Sequence, residues 1–135
     1  MYMAELRVPR DPMYVGLVRL VVAQAARLAG VPQDRVEDVK IAVAEALANG
    51  SDRDDELGAS PPVEVRFGRG TAGFEVTVRG LSQPPPATAD DDVVDPAIDQ
   101  LDPKLRFTLI EGLTDEFSRE QDGDLMRLRF VVGVT

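Results

Sequence analysis

The sequence predicts an α/β fold, and three observations predict it. Apolar residues recur three and four apart in three separate segments, which is the signature of helices with one buried face. Short alternating runs rich in Val and Phe flank those segments and read as strands. The 135 residues suit one domain with an ordinary core and are too few for two independent ones.

Taken in order, Ala4 to Pro9 alternates polar and apolar residues and reads as an edge strand that Pro9 ends. Asp11-Pro12 opens the first helix, because Asp caps and proline is tolerated in a first turn. Gly30 and Val31-Pro32 stop it, so the expected span is about Pro12 to Ala29. Val15, Val18, Val22, Ala25, Ala26 and Ala29 form its core face. Gly16, Arg19, Ala23 and Arg27 form a separate stripe, readable as a solvated face or as a docking surface whose arginines pair with acidic groups. The second helix follows Pro32 and ends near Asn49-Gly50, with Val36, Val39, Val43, Ala46 and Leu47 buried. Its other side carries Asp34, Asp38, Ala42, Glu45 and Asn49, and Ala42 leaves room for a ligand to lie flat.

A polar connection, Ser51 to Pro62, leads to strands at Val63–Phe67 and Phe74–Val78. The glycine-rich turn Gly68 to Gly73 joins them as a hairpin and is no phosphate loop, since it opens onto a strand rather than a helix N-terminus. Gly80 to Pro103 loses all periodicity and reads as a loop whose Asp90-Asp91-Asp92 run is solvated rather than a calcium site. A third helix is expected from Lys104 to about Arg119, burying Phe107, Ile110, Leu113, Thr114 and Phe117. After the Asp122-Gly123 turn, Leu125 to Val134 closes the chain as a strand.

Composition narrows the chemistry. With no cysteine, histidine or tryptophan, thiolate and imidazole metal sites and imidazole bases are excluded. A formal charge of -9, from 24 acidic and 15 basic residues, argues against direct nucleic-acid binding and favours a basic protein surface as partner. No apolar run approaches the ~20 residues of a membrane span, and the first residues form no signal-peptide core. The expectation is a soluble cytoplasmic protein without membrane contact.

Within Lys40-Ile41-Ala42-Val43-Ala44-Glu45-Ala46-Leu47-Ala48-Asn49, a carboxylate and a carboxamide stand four residues apart, one above the other on a helix. Glu45 suits a general base, and the amide oxygen of Asn49 suits a hard cation such as magnesium. Taken alone, Glu-x-x-x-Asn is a weak pattern, and an acidic helix face is most often only solvated.

Several stretches together carry a resemblance that covers nearly the whole chain. They are Val8-Pro9, Tyr14-Val15-Gly16-Leu17-Val18-Arg19-Leu20, Glu37-Asp38-Val39-Lys40-Ile41-Ala42-Val43-Ala44-Glu45-Ala46 and Phe107-Thr108-Leu109-Ile110-Glu111. In this order they resemble the bacterial anti-sigma-factor serine kinases, a branch of the superfamily of histidine kinases, gyrase and heat-shock chaperone ATPases. The resemblance implies a two-layer sandwich, a mixed and mostly antiparallel sheet covered on one face by three helices. It implies Glu45 as the base that activates a serine or water, Asn49 on the magnesium that carries ATP, and Arg19 on a sigma factor or an anti-sigma-factor antagonist. It also implies a homodimer.

Departures from the family pattern weigh against the nucleotide. The residue that accepts from the adenine amino group should be Asp, and Gly80 stands there. A glycine pair should precede the third helix, and Pro103-Lys104-Leu105-Arg106 replaces it, leaving Lys104 and Arg106 as compensating positive charge. Arg53 stands where the family has a histidine after Asn49. Losing one buried hydrogen bond costs roughly 1–3 kcal/mol. The expected protein therefore captures partners without a resident cofactor, using ATP and Mg only if the site still works, and an active serine kinase is the alternative.

Overall fold

The computed structural model describes residues 3–50, 62–82 and 103–134. The expected Ser51–Pro62 connection falls almost wholly outside them, as do Arg53, Asp90-Asp91-Asp92 and most of the Gly80–Pro103 loop. Strand β1 spans Met3–Val8, and a single 3-10 turn, Pro12–Tyr14, leads into helix α1, Val15–Ala29. Then come α2 (Gln33–Gly50), β2 (Val63–Arg69), β3 (Phe74–Ser82), α3 (Pro103–Leu113), β4 (Glu116–Asp122) and β5 (Leu125–Val132).

Local chemistry accounts for where this segment begins and ends. The carboxylate of Asp11 accepts from the Met13 backbone N–H at 3.0 Å and so caps the 3-10 turn, whereas α1 itself starts at Val15, three residues later than expected, with Tyr14 before it and no side-chain cap. At the other end Gly30 adopts φ 100°, a left-handed conformation that costs glycine nothing, and the Val31 N–H reaches back to the Ala26 carbonyl.

The five strands lie in the order β1-β2-β3-β5-β4. Every pairing is antiparallel, so among the described residues the mostly antiparallel sheet that the resemblance implies has no parallel pair. The order explains it. Strands β3 and β4 run the same way, as a helical crossover allows, but β5 returns from the hairpin after β4 and lies between them, so no parallel neighbours remain. Alternation then sorts the faces. Val63, Val65 and Phe67 of β2, Phe74, Val76 and Val78 of β3, and Met126, Leu128, Phe130 and Val132 of β5 are buried in one cluster with the inner faces of α1, α2 and α3.

The opposite face is a lattice of cross-strand ion pairs. Arg7 meets Glu64 at 3.0 Å, Arg79 meets Asp122 at 3.5 Å, and Arg129 meets Glu75 at 2.5 Å. The hydrogen bond it donates to Glu75 holds the Arg129 guanidinium above its ordinary pKa. A cavity of about 410 Å³ lies on this face, lined by Arg66, Glu75, Thr77, Arg79, Arg127 and Arg129 among others, on the side of the sheet away from Glu45.

The third helix departs from its expected span. It ends at Leu113, and the residues expected to continue it form β4, the edge strand. Three contacts stop it: the Thr114 hydroxyl donates to the Ile110 carbonyl at 2.8 Å, the Asp115 N–H donates to the Val131 carbonyl at 2.8 Å, and Asp115 Oδ2 accepts from the Gly133 N–H at 2.6 Å. Phe117 still meets Phe107, with ring centroids 6.3 Å apart, but from the strand. Strand β4 has Phe117 as its one large apolar residue, so it carries almost no alternating signal.

Asp115 also pairs with Arg35 of α2 at 3.0 Å. Asp115→Ala is expected to cost about 1 kcal/mol, the net worth of one such hydrogen bond beside a half-exposed ion pair. Urea denaturation measures it. An unchanged midpoint would remove Asp115 from the account of how α3 gives way to β4.

Candidate functional site

Helix α2 carries the first candidate residues because its valines and small residues seal one side completely. Val36, Val39, Val43 and Ala46 are fully buried, as is Ala42, which the sequence places on the open face. Ala42 therefore offers no platform for a ligand, because α2 is covered on more than one side by packing. Glu45, less than one turn on, retains 22% of its side-chain exposure, and its Oε2 lies 3.5 Å from Arg106 Nε on α3. Arg106 is itself only 17% exposed.

That contact changes the expected arrangement. Arg106, expected from the sequence to supply positive charge for phosphates, points at the carboxylate expected to act as base. The side chains of Asn49 and Lys104 lie outside the described residues. Among the described residues, no group of three or more acidic side chains is placed to hold a metal. No helix of the described residues is long and apolar enough to cross a membrane.

Gly80 sits at the irregularity where the β3–β5 register shifts between Val78 and Leu81, with φ 83°. The buried Arg10 donates to its carbonyl, tying the segment after β1 to this bulge. A Cβ at Gly80 would stand 3.1 Å from the Pro62 carbonyl oxygen. Placing at this position the acid that the resemblance leads one to expect, by Gly80→Asp, is thus strained in φ and crowded against backbone, and is expected to cost about 1–3 kcal/mol. Thermal unfolding tests it; a variant as stable as the parent would mean the bulge adapts without strain.

The helix-one stripe is only partly as expected. Arg19 and Arg27 are exposed, and Gly16 is half-exposed with open space where a Cβ would lie, but Ala23 is buried. Ala23 is therefore corrected from the stripe to the core. It follows Val18 and Val22 and precedes Ala26, and a methyl side chain lets α1 approach its neighbours closely. Arg27 is held by Gln24 and Gln33, each at 3.4 Å.

A row beside that stripe is absent from the expectations drawn on the sequence. Leu17, Leu20 and Leu28, each more than half exposed, share one side of α1 with Gln24, and the exposed Met13 extends the row at its start. The signal is present in the chain, since positions 17, 20, 24 and 28 are spaced three, four and four apart and belong to neither the assigned core nor the arginine stripe.

A two-layer domain with an antiparallel sheet, a glutamate-bearing second helix and a third helix packed over it defines a class, and comparison agrees. Residues 8–132 match the family described as the histidine kinase-like ATPase domain, and the chain belongs to that family. Within it, the chain is an RsbW-like member. It is 30% identical to the serine-protein kinase RsbW of Halalkalibacterium halodurans over 126 residues, covering 90% of this chain and 78% of that protein. It is 38% identical to the serine-protein kinase RsbW of Bacillus subtilis over 74 residues, 55% of this chain and 46% of that one. In most of these alignments the chain spans about half the length of the curated relatives it matches, or less.

Proposed function

We propose that this chain is an anti-sigma-factor-like regulator that captures a sigma factor, an anti-sigma-factor antagonist, or both, through α1, with nucleotide binding weak or lost. The observation that carries the reading is the exposed Leu17, Leu20 and Leu28 row with Met13, flanked by Arg19 and Arg27. Single exposed leucines are ordinary, whereas several aligned on one helix and edged by arginine have the composition of a protein-binding face. The acidic chain as a whole then steers toward basic surfaces of its partner and away from DNA. On this reading the protein is a cytoplasmic homodimer.

Two observations support the loss of the nucleotide. Gly80 provides no carboxylate for an adenine amino group, in a backbone conformation that disfavours one. Arg106 engages Glu45, so the residues present fit poorly with the Mg–ATP complex that the resemblance implies. The second reading is an active serine kinase acting on an antagonist, with Glu45 as base and Asn49 on magnesium, and it is favoured by the names of the relatives.

Two measurements separate them. Arg19→Ala should weaken capture of a purified sigma factor or antagonist from the same organism in a pull-down, and undiminished capture would count against the α1 face. Calorimetry with ATP and magnesium should show no micromolar binding; such binding, abolished by changing Asn49, would favour the kinase.

A further inference from the structure

We propose that the outer face of the sheet, opposite the helices, binds a small polyanion with two or more linked oxyanion groups, received by Arg66 and Arg79 in the cavity of about 410 Å³. This ligand is neither a partner held by α1 nor a nucleotide beside Glu45, both of which belong to the helical side of the sheet.

Strand register assembles the site. Arg66 of β2 and Arg129 of β5 stand opposite Thr77 of β3 from either side, and Ser118 of β4 stands opposite Arg129. Arg79 lies two residues on from Thr77, and Arg127 two residues before Arg129, so alternation puts all four guanidiniums on one face. The cavity lining then carries four arginines against two carboxylates, Glu75 and Glu120, an excess of two positive charges in a chain of net charge -9. Like charges gathered across strands repel one another, and an anion among them relieves that repulsion.

Both carboxylates are already engaged. Glu75 accepts from Arg129 at 2.5 Å, and Glu120 accepts from Arg127. The other two arginines are held loosely. Arg66 approaches Glu5 at 4.0 Å, beyond hydrogen-bond reach. Arg79 meets Asp122 at 3.5 Å and Glu64 at 3.8 Å, and its Nε is buried with no hydrogen-bond partner among the described residues. A donor left in that state is costly, and a guanidinium that turns toward an oxyanion satisfies it with a charge-assisted bond.

Spacing sets the kind of anion. Neighbouring strands stand about 4.8 Å apart, so Arg66 and Arg129 are rooted roughly 10 Å apart across β3, more than a single phosphate spans. Linked oxyanions bridge that width, and the hydroxyls of Thr77 and Ser118 add neutral donors between the charges.

Calorimetry on the full chain tests the site, with inorganic tripolyphosphate and citrate as probes. At least one should bind, and the tighter of the two distinguishes phosphate from carboxylate recognition. Arg66→Gln removes a half-exposed side chain that makes no hydrogen bond, so it should leave the fold intact and weaken binding about tenfold, the scale of one charge-assisted hydrogen bond. Thr77→Val keeps a β-branched residue in the strand and should weaken it about threefold. Arg7→Gln is the charge control, because Arg7 shares this face but pairs with Glu64 at 3.0 Å outside the cavity lining. It should bind as the parent does. Failure of both probes to bind overturns the proposal, as does equal weakening in R7Q and R66Q, which marks a diffuse field rather than a site. Binding that R66Q keeps and Arg106→Ala loses overturns it too, by placing the anion beside Glu45. A thermal melt accompanies each variant, and if R66Q does not fold, Arg79→Gln is read in its place. Partner capture by α1 plays no part in these titrations, so failure here and failure of the proposed function are separate results.

Discussion

Replacing Leu17 and Leu20 together with Asp should reduce affinity for a captured sigma factor or antagonist by about thirtyfold or more, while leaving the fold intact. Buried apolar anchors at the centre of an interface commonly contribute about 2 kcal/mol or more each on truncation, which is roughly thirtyfold in affinity. Asp adds a charge that must be desolvated against the partner. Both leucines are more than half exposed in the isolated chain and neither belongs to the core cluster. Stability should change by about 0.5 kcal/mol or less. Interferometry for affinity, with a thermal melt beside it, separates a lost interface from a lost fold. A well-folded variant that loses less than threefold would place the partner surface elsewhere.

Phe130→Ala should be the most damaging single change to the scaffold, costing about 3–5 kcal/mol. Phe130 is fully buried on β5, opposite Val76 of β3 on one side and Phe117 of the edge strand β4 on the other. Truncation leaves a cavity on the helix-covered face of the sheet, between β3 and the edge strand, that the paired strands on both sides do not close. Against a typical total stability of about 5–15 kcal/mol, that loss removes a large part of the margin. Denaturant unfolding measures it, and a loss under about 1.5 kcal/mol would mean the core repacks freely. Phe117→Ala, at a half-buried edge position, should cost clearly less.

The parts of the fold legible in the sequence are those with strong periodicity. Helices α1 and α2, the β2–β3 hairpin and the last strand follow from apolar spacing and from turn and cap residues such as Asp11, Gly30 and Gly73, whose φ of 141° places it against the Val132 carbonyl. Strand β4 is illegible because an edge strand beside charged neighbours needs little apolar character, and its pairing to β5 comes from the turn and from Asp115. The exposed leucine row is written in the spacing, yet it is masked there, since apolar residues on a helix are ordinarily assigned to one core face.

The candidate site divides in the same manner. Glu45, Asn49, Arg19 and Arg27 stand out by type and spacing, whereas Gly80 stands out only through the resemblance, whose pattern has an acid there. That Arg106 turns toward Glu45, and that Ala23 and Ala42 are sealed in the core, depends on how α3 and α1 dock.

By itself the sequence determined where most helices and strands form and which chemical groups are available, because periodicity, capping and residue type are local properties of the chain. Only the tertiary structure decided which of those groups meet. Pairing of a carboxylate on the second helix with a guanidinium on the third, far apart along the chain, is set by the docking of elements on a shared core, as is the exposure of one helix row rather than another. No local pattern encodes either outcome.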